Sequence, residues 1–188
     1  MTMKKFRLLF LSSLIALFTA CGPTTERRID TTRGFDMWDY MTASVDVEAE
    51  YDIYENGRIE EYRYIETHRL FNDRYERESN SGLTTLFVNS SNILMREPDQ
   101  DVTVERYLYL GDRGIFHAAS IDLCTLEKFY YEYRQRGQIF NNVIMVDCVS
   151  KSGVNQQYYY GYNEGLVAIY ENDRGYEKEW IKIRERRI

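Results

Sequence analysis

VDVEAEYDIYENGRIEEYRYIETHRL, residues 45–70, decides the fold. Val45, Val47, Ala49, Tyr51 and Ile53 alternate with Asp46, Glu48, Glu50 and Asp52, and a period of two over this length is a strand with one buried face. Asn56-Gly57 supplies the positive φ values of a type I′ turn. The chain then returns through Ile59 to Leu70, with Tyr62, Tyr64, His68 and Leu70 on one face. The segment is a β-hairpin, and its neighbours follow the same pattern. Further β-rich runs cover residues 83–88, 93–95, 102–110, 115–117, 143–149, 157–162, 166–170 and 180–183. Turn chemistry separates them, in Asn80-Ser81-Gly82, Pro98-Asp99, Gly111-Asp112-Arg113-Gly114, Asn163-Glu164-Gly165 and residues 172–175.

No long helical stretch lies between these runs, which excludes alternating strand–helix units. The expected fold class is mainly β: a single antiparallel, curved sheet, half-barrel or sandwich-like, with at most one or two short helices. Two segments resist the simple reading. Residues 34–42, with Phe35, Met37, Trp38 and Tyr40, fit a short helix or an edge element packed over one end of the sheet. In residues 120–137, Leu123, Leu126, Phe129 and Tyr133 approximate helical spacing, whereas Phe129, Tyr131 and Tyr133 alternate as in a strand. A strand over 128–133 is expected there, with helix as the alternative.

Composition narrows the function. The chain has 188 residues, 24 Lys+Arg against 30 Asp+Glu, a formal charge of -6, 17 Tyr and 9 Phe. Its aromatic content suits a folded domain, and its acidic balance argues against a nucleic-acid partner bound through phosphates.

The N-terminus is an export signal. Lys4, Lys5 and Arg7 precede an apolar stretch over residues 8–17, and Phe18-Thr19-Ala20 leads into Cys21. Ten or so apolar residues make a helix of roughly 15 Å, half the roughly 30 Å needed to cross a bilayer. Small residues followed immediately by Cys resemble the lipobox of bacterial lipoproteins, with Phe18 where an aliphatic residue is usual. The resemblance implies cleavage before Cys21 and lipidation of its thiol, with several acyl chains including palmitate. Gly22 follows Cys21 where an Asp would favour the inner membrane, so the implied location is the cell envelope, at the outer membrane's periplasmic face. The organisation expected is a signal peptide over 1–20, a lipid-anchored tether over 21–33 and one β-rich domain over 34–188. Cleavage takes three cations and no acids with it, so the mature charge is -9.

The C-terminal third carries a looser likeness. Gly137-Gln138-Ile139-Phe140-Asn141-Asn142-Val143, Tyr158-Tyr159-Tyr160-Gly161, Gly165-Leu166-Val167 and a final strand from Trp180 resemble exported bacterial antiparallel-sheet proteins of mostly unassigned function. The likeness implies consecutive strands of a curved sheet, with Gly161 and Gly165 at bends.

With Cys21 assigned to lipid, Cys124 and Cys148 form an even pair in an oxidising compartment, and a structural disulfide is expected. No CxxC spacing points to redox chemistry, and two histidines, His68 and His117, are too few for a His-rich metal site. The sequence has no GxSxG elbow, HExxH helix, phosphate-binding glycine loop or dinucleotide fingerprint. The paired acids Glu60-Glu61 and Glu76-x-Glu78 read as solvated strand faces, and Asp99-x-Asp101 with Glu105 as a polar turn rather than a calcium loop. No catalytic residue, metal or cofactor is expected. The tyrosines have two readings, cross-strand aromatic packing or a ligand- or glycan-contacting surface, and Tyr158, Tyr160 and Tyr162 are the candidates for the latter.

The function expected is that of a non-catalytic envelope lipoprotein, attached to the membrane through lipid, whose domain binds or scaffolds an envelope protein or a lipid ligand. A carrier of lipid or lipoprotein is the alternative, with an apolar cavity lined by Leu108, Leu110, Ile144, Val146 and Val167. An enzyme of the envelope is the third reading, requiring His68 or His117 beside a carboxylate and a nucleophile.

Overall fold

The computed structural model describes residues 34–113, 116–117, 121–150 and 153–188, with backbone alone for 116–117 and 121–123. The signal, Cys21 and the tether lie outside the described residues. In chain order the elements are β1 (Phe35–Asp36), α1 (Met37–Met41), β2 (Val47–Glu55), β3 (Arg58–Leu70), β4 (Tyr75–Ser79), β5 (Gly82–Val88), β6 (Asn92–Arg96) and β7 (Asp101–Glu105). They continue with β8 (Tyr107–Leu108), β9 (Phe116–His117), β10 (Ile121–Gln135), β11 (Gln138–Ser150), β12 (Asn155–Gly161), β13 (Gly165–Asp173) and β14 (Tyr176–Arg187).

All but β1 and β8 belong to one antiparallel sheet of order β10-β11-β12-β13-β14-β2-β3-β4-β5-β6-β7-β9. The expected fold class is the observed one. The sheet curls until the segment after β8 reaches β10, where Gly111 N–H donates to Leu126 O and Leu126 N–H to Asp112 O. These bonds bring the two ends together without closing the sheet into a barrel.

The hairpin of residues 45–70 forms as its alternation requires. Asn56 and Gly57 both have positive φ, 46° and 79°, and every second residue of β2 from Val47 to Ile53 is buried. The return strand keeps the expected face in its middle and loses it at both ends, where a bulge between Asp52 and Tyr54 shifts the register beside Tyr62 and Leu70 ends the strand. Tyr64, Glu66 and His68 turn inward, while Tyr62 and Leu70 stand exposed. Residues 121–135 are strand throughout, as are 75–79, a run whose sequence YERES shows one apolar residue.

Inside the curl, Phe35, Met37, Tyr40, Met41, Leu108, Leu126, Ile144 and Val146 form the main core. The helix α1 stops one end of it. Asp36 caps the helix by accepting from Trp38 N–H at 3.1 Å, and its carboxylate is fixed by Arg106 at 2.8 Å. The β12–β13 turn clasps the helix from outside: Asn163 N–H donates to Asp39 O, and Ser44 N–H to Asn163 O. Gly165 in that turn has a φ of +69° and lies against the backbone of residues 41–43. A residue with a side chain would be strained there.

A second cluster sits on the outer face of the sheet. The distal half of the β10–β11 hairpin folds across β12, β13 and β14, burying Tyr133, Phe140, Met145, Tyr159, Ala168 and Ile181. Cys124 and Cys148, opposed across the proximal part of this hairpin, are joined as a disulfide.

Candidate functional site: a two-sided cavity inside the curled sheet

Between the core and the far end of the sheet lies a cavity of about 610 Å³. Its closed end is formed by Met41, Tyr160 and Leu166 beside α1, and its other end by Glu97, Gln100, Gln156 and Glu171. Two kinds of wall face each other along it. Leu86, Met95 and Val102, from β5 to β7, are apolar, whereas β2, β3, β4, β12 and β14 contribute Tyr51, Tyr64, Glu66, Arg77, Tyr158, Tyr160 and Trp180, with Ile169 of β13 set between Tyr158 and Trp180.

The polar wall is built on strand parity. In β3 the inward positions are 64, 66 and 68, so a glutamate and a histidine enter the interior between hydrophobic neighbours. Ala49, opposite Glu66 in β2, leaves room for the carboxylate. Glu66 is 3% exposed and His68 2%. Burying a carboxylate is costly unless its charge and lone pairs are matched. Here His68 Nε2 lies 3.1 Å from Glu66 Oε2, the Tyr51 hydroxyl shares its proton between Oε2 at 3.2 Å and the Leu166 carbonyl at 3.0 Å, and Arg77 Nε is 3.5 Å from Oε1. Burial by itself raises the Glu66 carboxyl. The Arg77 charge and the hydrogen bonds from His68 and Tyr51 outweigh it and hold the group down at about 2.

The network continues through Tyr75. Its hydroxyl accepts from Ala43 N–H at 3.0 Å and lies within hydrogen-bond reach of His68 Nδ1. One arrangement satisfies every atom: Tyr75 donates to Nδ1, which leaves Nε2–H to donate to Glu66. Tyr75 is fully buried, with its oxygen occupied on both sides. Histidine, carboxylate and hydroxyl therefore do meet around His68, and what they fix is the position of Glu66 and, through it, Arg77.

Arg77 differs from its neighbours. Its side chain is 24% exposed, and beyond the approach to Glu66 its fork of N–H donors makes no hydrogen bond to any described residue. Burial works against its charge, but the Glu66 carboxylate outweighs that and raises its pKa further. Tyr160 is similar: 7% exposed, with a hydroxyl that has no hydrogen-bond partner among the described residues.

Toward the other end the polar groups are paired in series. Tyr158 donates to Gln156 Oε1 at 3.0 Å, Gln156 Nε2–H donates to Glu171 at 2.8 Å, and Gln100 Nε2–H to Glu97 at 2.9 Å. Burial, then Glu171 and Glu97, push the Tyr158 phenol up to about 12. Its ring lies nearly parallel to that of Tyr160, with centroids 6.3 Å apart.

Of the three tyrosines singled out in the sequence, Tyr158 and Tyr160 line the cavity and Tyr162 does not. Tyr162 lies past the end of β12, where its ring packs edge-on against Tyr40 of α1 at 5.5 Å. Tyr159, between the two cavity tyrosines, faces outward and stacks on Tyr133 at 4.5 Å, the cross-strand packing that was the other reading. The apolar lining expected for a carrier is also misplaced. Leu108, Ile144 and Val146 are buried in the main core, Leu110 packs against it, and Val167 belongs to the outer cluster; none lines the cavity. Residues of α1 pack in the same core as Leu108, Ile144 and Val146 and fill the space they would have opened onto, whereas Val167 points to the opposite face of the sheet.

No protein-family model matches the chain, and no curated protein matches it. Among solved structures it is similar to a protein from Bacteroides fragilis described as exported and as having a YmcC-like fold, with a TM-score of 0.51, 9% identity, and 79% of this chain and 99% of that one covered. The likeness is one of fold alone.

Proposed function

We propose that this chain is an exported lipoprotein held at the membrane by acyl chains on Cys21, and that its domain is a non-catalytic binding module taking a small ligand into the cavity. The observation that carries the binding reading is the two-sided wall. A hydroxylated ring has apolar faces and a polar rim, so it suits stacking on Tyr158, Tyr160 and Trp180 and hydrogen bonding to the amide–carboxylate pairs at the far end. The His68 network supports binding over catalysis, because its hydroxyl is enclosed and occupied. The exported character of the similar B. fragilis protein supports the address.

A second reading, a carrier of an acyl-bearing ligand, is favoured by the apolar wall of Leu86, Met95 and Val102. Native mass spectrometry on the protein purified from its own membranes separates these outcomes. A bound mass that disappears in Tyr158→Ala supports the binding module, and lipid or sugar chemistry of the released mass chooses the ligand class. Protein without any bound mass, in which saccharides and fatty acids also leave cavity resonances unmoved, would overturn it. In the same preparation Cys21→Ala should lose the acyl mass and leave the membrane fraction.

A further inference from the structure

The interior of a folded protein seldom leaves strong hydrogen-bond donors unused, and where several converge on one cavity they describe the missing partner. Two such groups face the closed half of this cavity. Arg77 spends one edge of its guanidinium on Glu66 at 3.5 Å, and the rest of the fork has no acceptor among the described residues. The Tyr160 hydroxyl, on a side chain more than nine-tenths buried, also has none. The two are close enough for the Arg77 charge to act on the Tyr160 phenol.

We propose that the Arg77 fork and the Tyr160 hydroxyl form an oxyanion subsite, which takes the carboxylate of the ligand bound in the cavity. The subsite deepens the binding reading above and rests on it. A guanidinium matches an oxyanion in two parallel N–H···O bonds, and a phenol adds a third donor from the side. Glu66 makes the pairing specific rather than merely attractive. It cancels much of the arginine's net charge while holding the guanidinium in one orientation, and its own oxygens are occupied by His68 and Tyr51. Glu171, at the other end, repels an anion there, and at Tyr160 the Arg77 charge offsets that of Glu97, which leaves the half beside Arg77 as the anion's place.

The same carboxylate could come from an acidic sugar or from a fatty acid, and matched probes distinguish them. Binding of D-glucuronate and D-glucose, and of decanoate and decanol, is measured by titration with Trp180 fluorescence and the Arg77 Nε–H resonance as readouts. In whichever pair binds, the anion should bind at least tenfold more tightly than its neutral twin and should shift the Arg77 resonance. Arg77→Gln should erase that preference by weakening the anion far more than its neutral twin. Arg77→Lys, which keeps the charge but not the fork, should retain only part of it, and Tyr160→Phe should weaken the anion alone by several-fold. Equal affinities within a pair, or a preference that survives Arg77→Gln in protein that is still folded at the assay temperature, would overturn the subsite and leave the binding module standing. Failure of all four probes to bind or shift any cavity resonance would remove both.

Discussion

Glu66 shows how a single residue ties the fold to the site. Its carboxyl sits at about 2 in the folded protein against an ordinary 4.5, so the folded state holds fewer protons between those values than the unfolded chain does. The stabilisation is fully present above pH 4.5 and is lost as the pH falls from there toward 2. At about 1.4 kcal/mol per pH unit, the difference amounts to about 3 kcal/mol. Glu66→Gln removes this titration and leaves Arg77 without its partner. Denaturant unfolding should therefore find the variant less stable than wild type by a few kcal/mol at pH 7, with the gap closing as both are taken to pH 2. Parallel stability profiles would mean that Glu66 is not the ionised centre of the network. The residue was within reach of sequence reading by parity alone, since it falls between Tyr64 and His68 on the same strand face. What hid it is that a glutamate among Glu60, Glu61 and other acids reads as solvated, and only a basic partner from another strand makes its burial affordable.

At the scale of elements, that partner comes from β4, whose acids read as a solvated strand face but whose inward side hydrophobic alternation did not mark. β4 reads YERES, and its two inward residues, Tyr75 and Arg77, are the ones that close the network. Hydrophobic alternation fails as a signal where the inward position is an arginine, although turn residues on both sides and paired neighbours are present. The hairpin of residues 45–70, by contrast, was legible because both its strand period and its turn chemistry are local. The disulfide was legible from parity and compartment, and the structure adds where it acts. Cys124 and Cys148 are opposed in the ladder of β10 and β11, with Cys148 reaching the cavity wall. Closing a loop of about 24 residues is worth roughly 3 kcal/mol in the chain-entropy model. Replacing both cysteines with serine should lower the denaturant midpoint accordingly, and mild reduction of the wild type should reproduce the shift. An unchanged midpoint in both would show that the hairpin's own pairing already supplies the constraint.

For the whole molecule, the feature with most consequence is that the sheet has two cores, one on each face. An outer sheet face is ordinarily wet, yet here the β10–β11 hairpin returns across it and covers Tyr159, Ala168 and Ile181 with Tyr133 and Phe140. The arm is fastened at its tip. Glu179 of β14, 7% exposed, accepts from Gln135 and, at 3.0 Å, from Arg136 Nε, while the Arg136 guanidinium lies 4.5 Å from the Tyr54 ring of β2. A hairpin fixed both at its base in the sheet and at its tip braces β11 to β14 against flattening, and those strands carry Tyr158, Tyr160 and Trp180 of the cavity. Glu179→Ala removes the acceptor at the tip; Arg136, 39% exposed, turns to water, so the cost is about 1 kcal/mol, mainly from Gln135. Hydrogen exchange should then speed up in the distal amides of residues 133–140, with residues 143–149 near the disulfide protected as before. If bracing is what keeps the curl, the loosening should also appear as faster exchange in β12, on the other side of the sheet from the lost contact. Exchange confined to the arm would show that the inner core and α1 hold the cavity open without it.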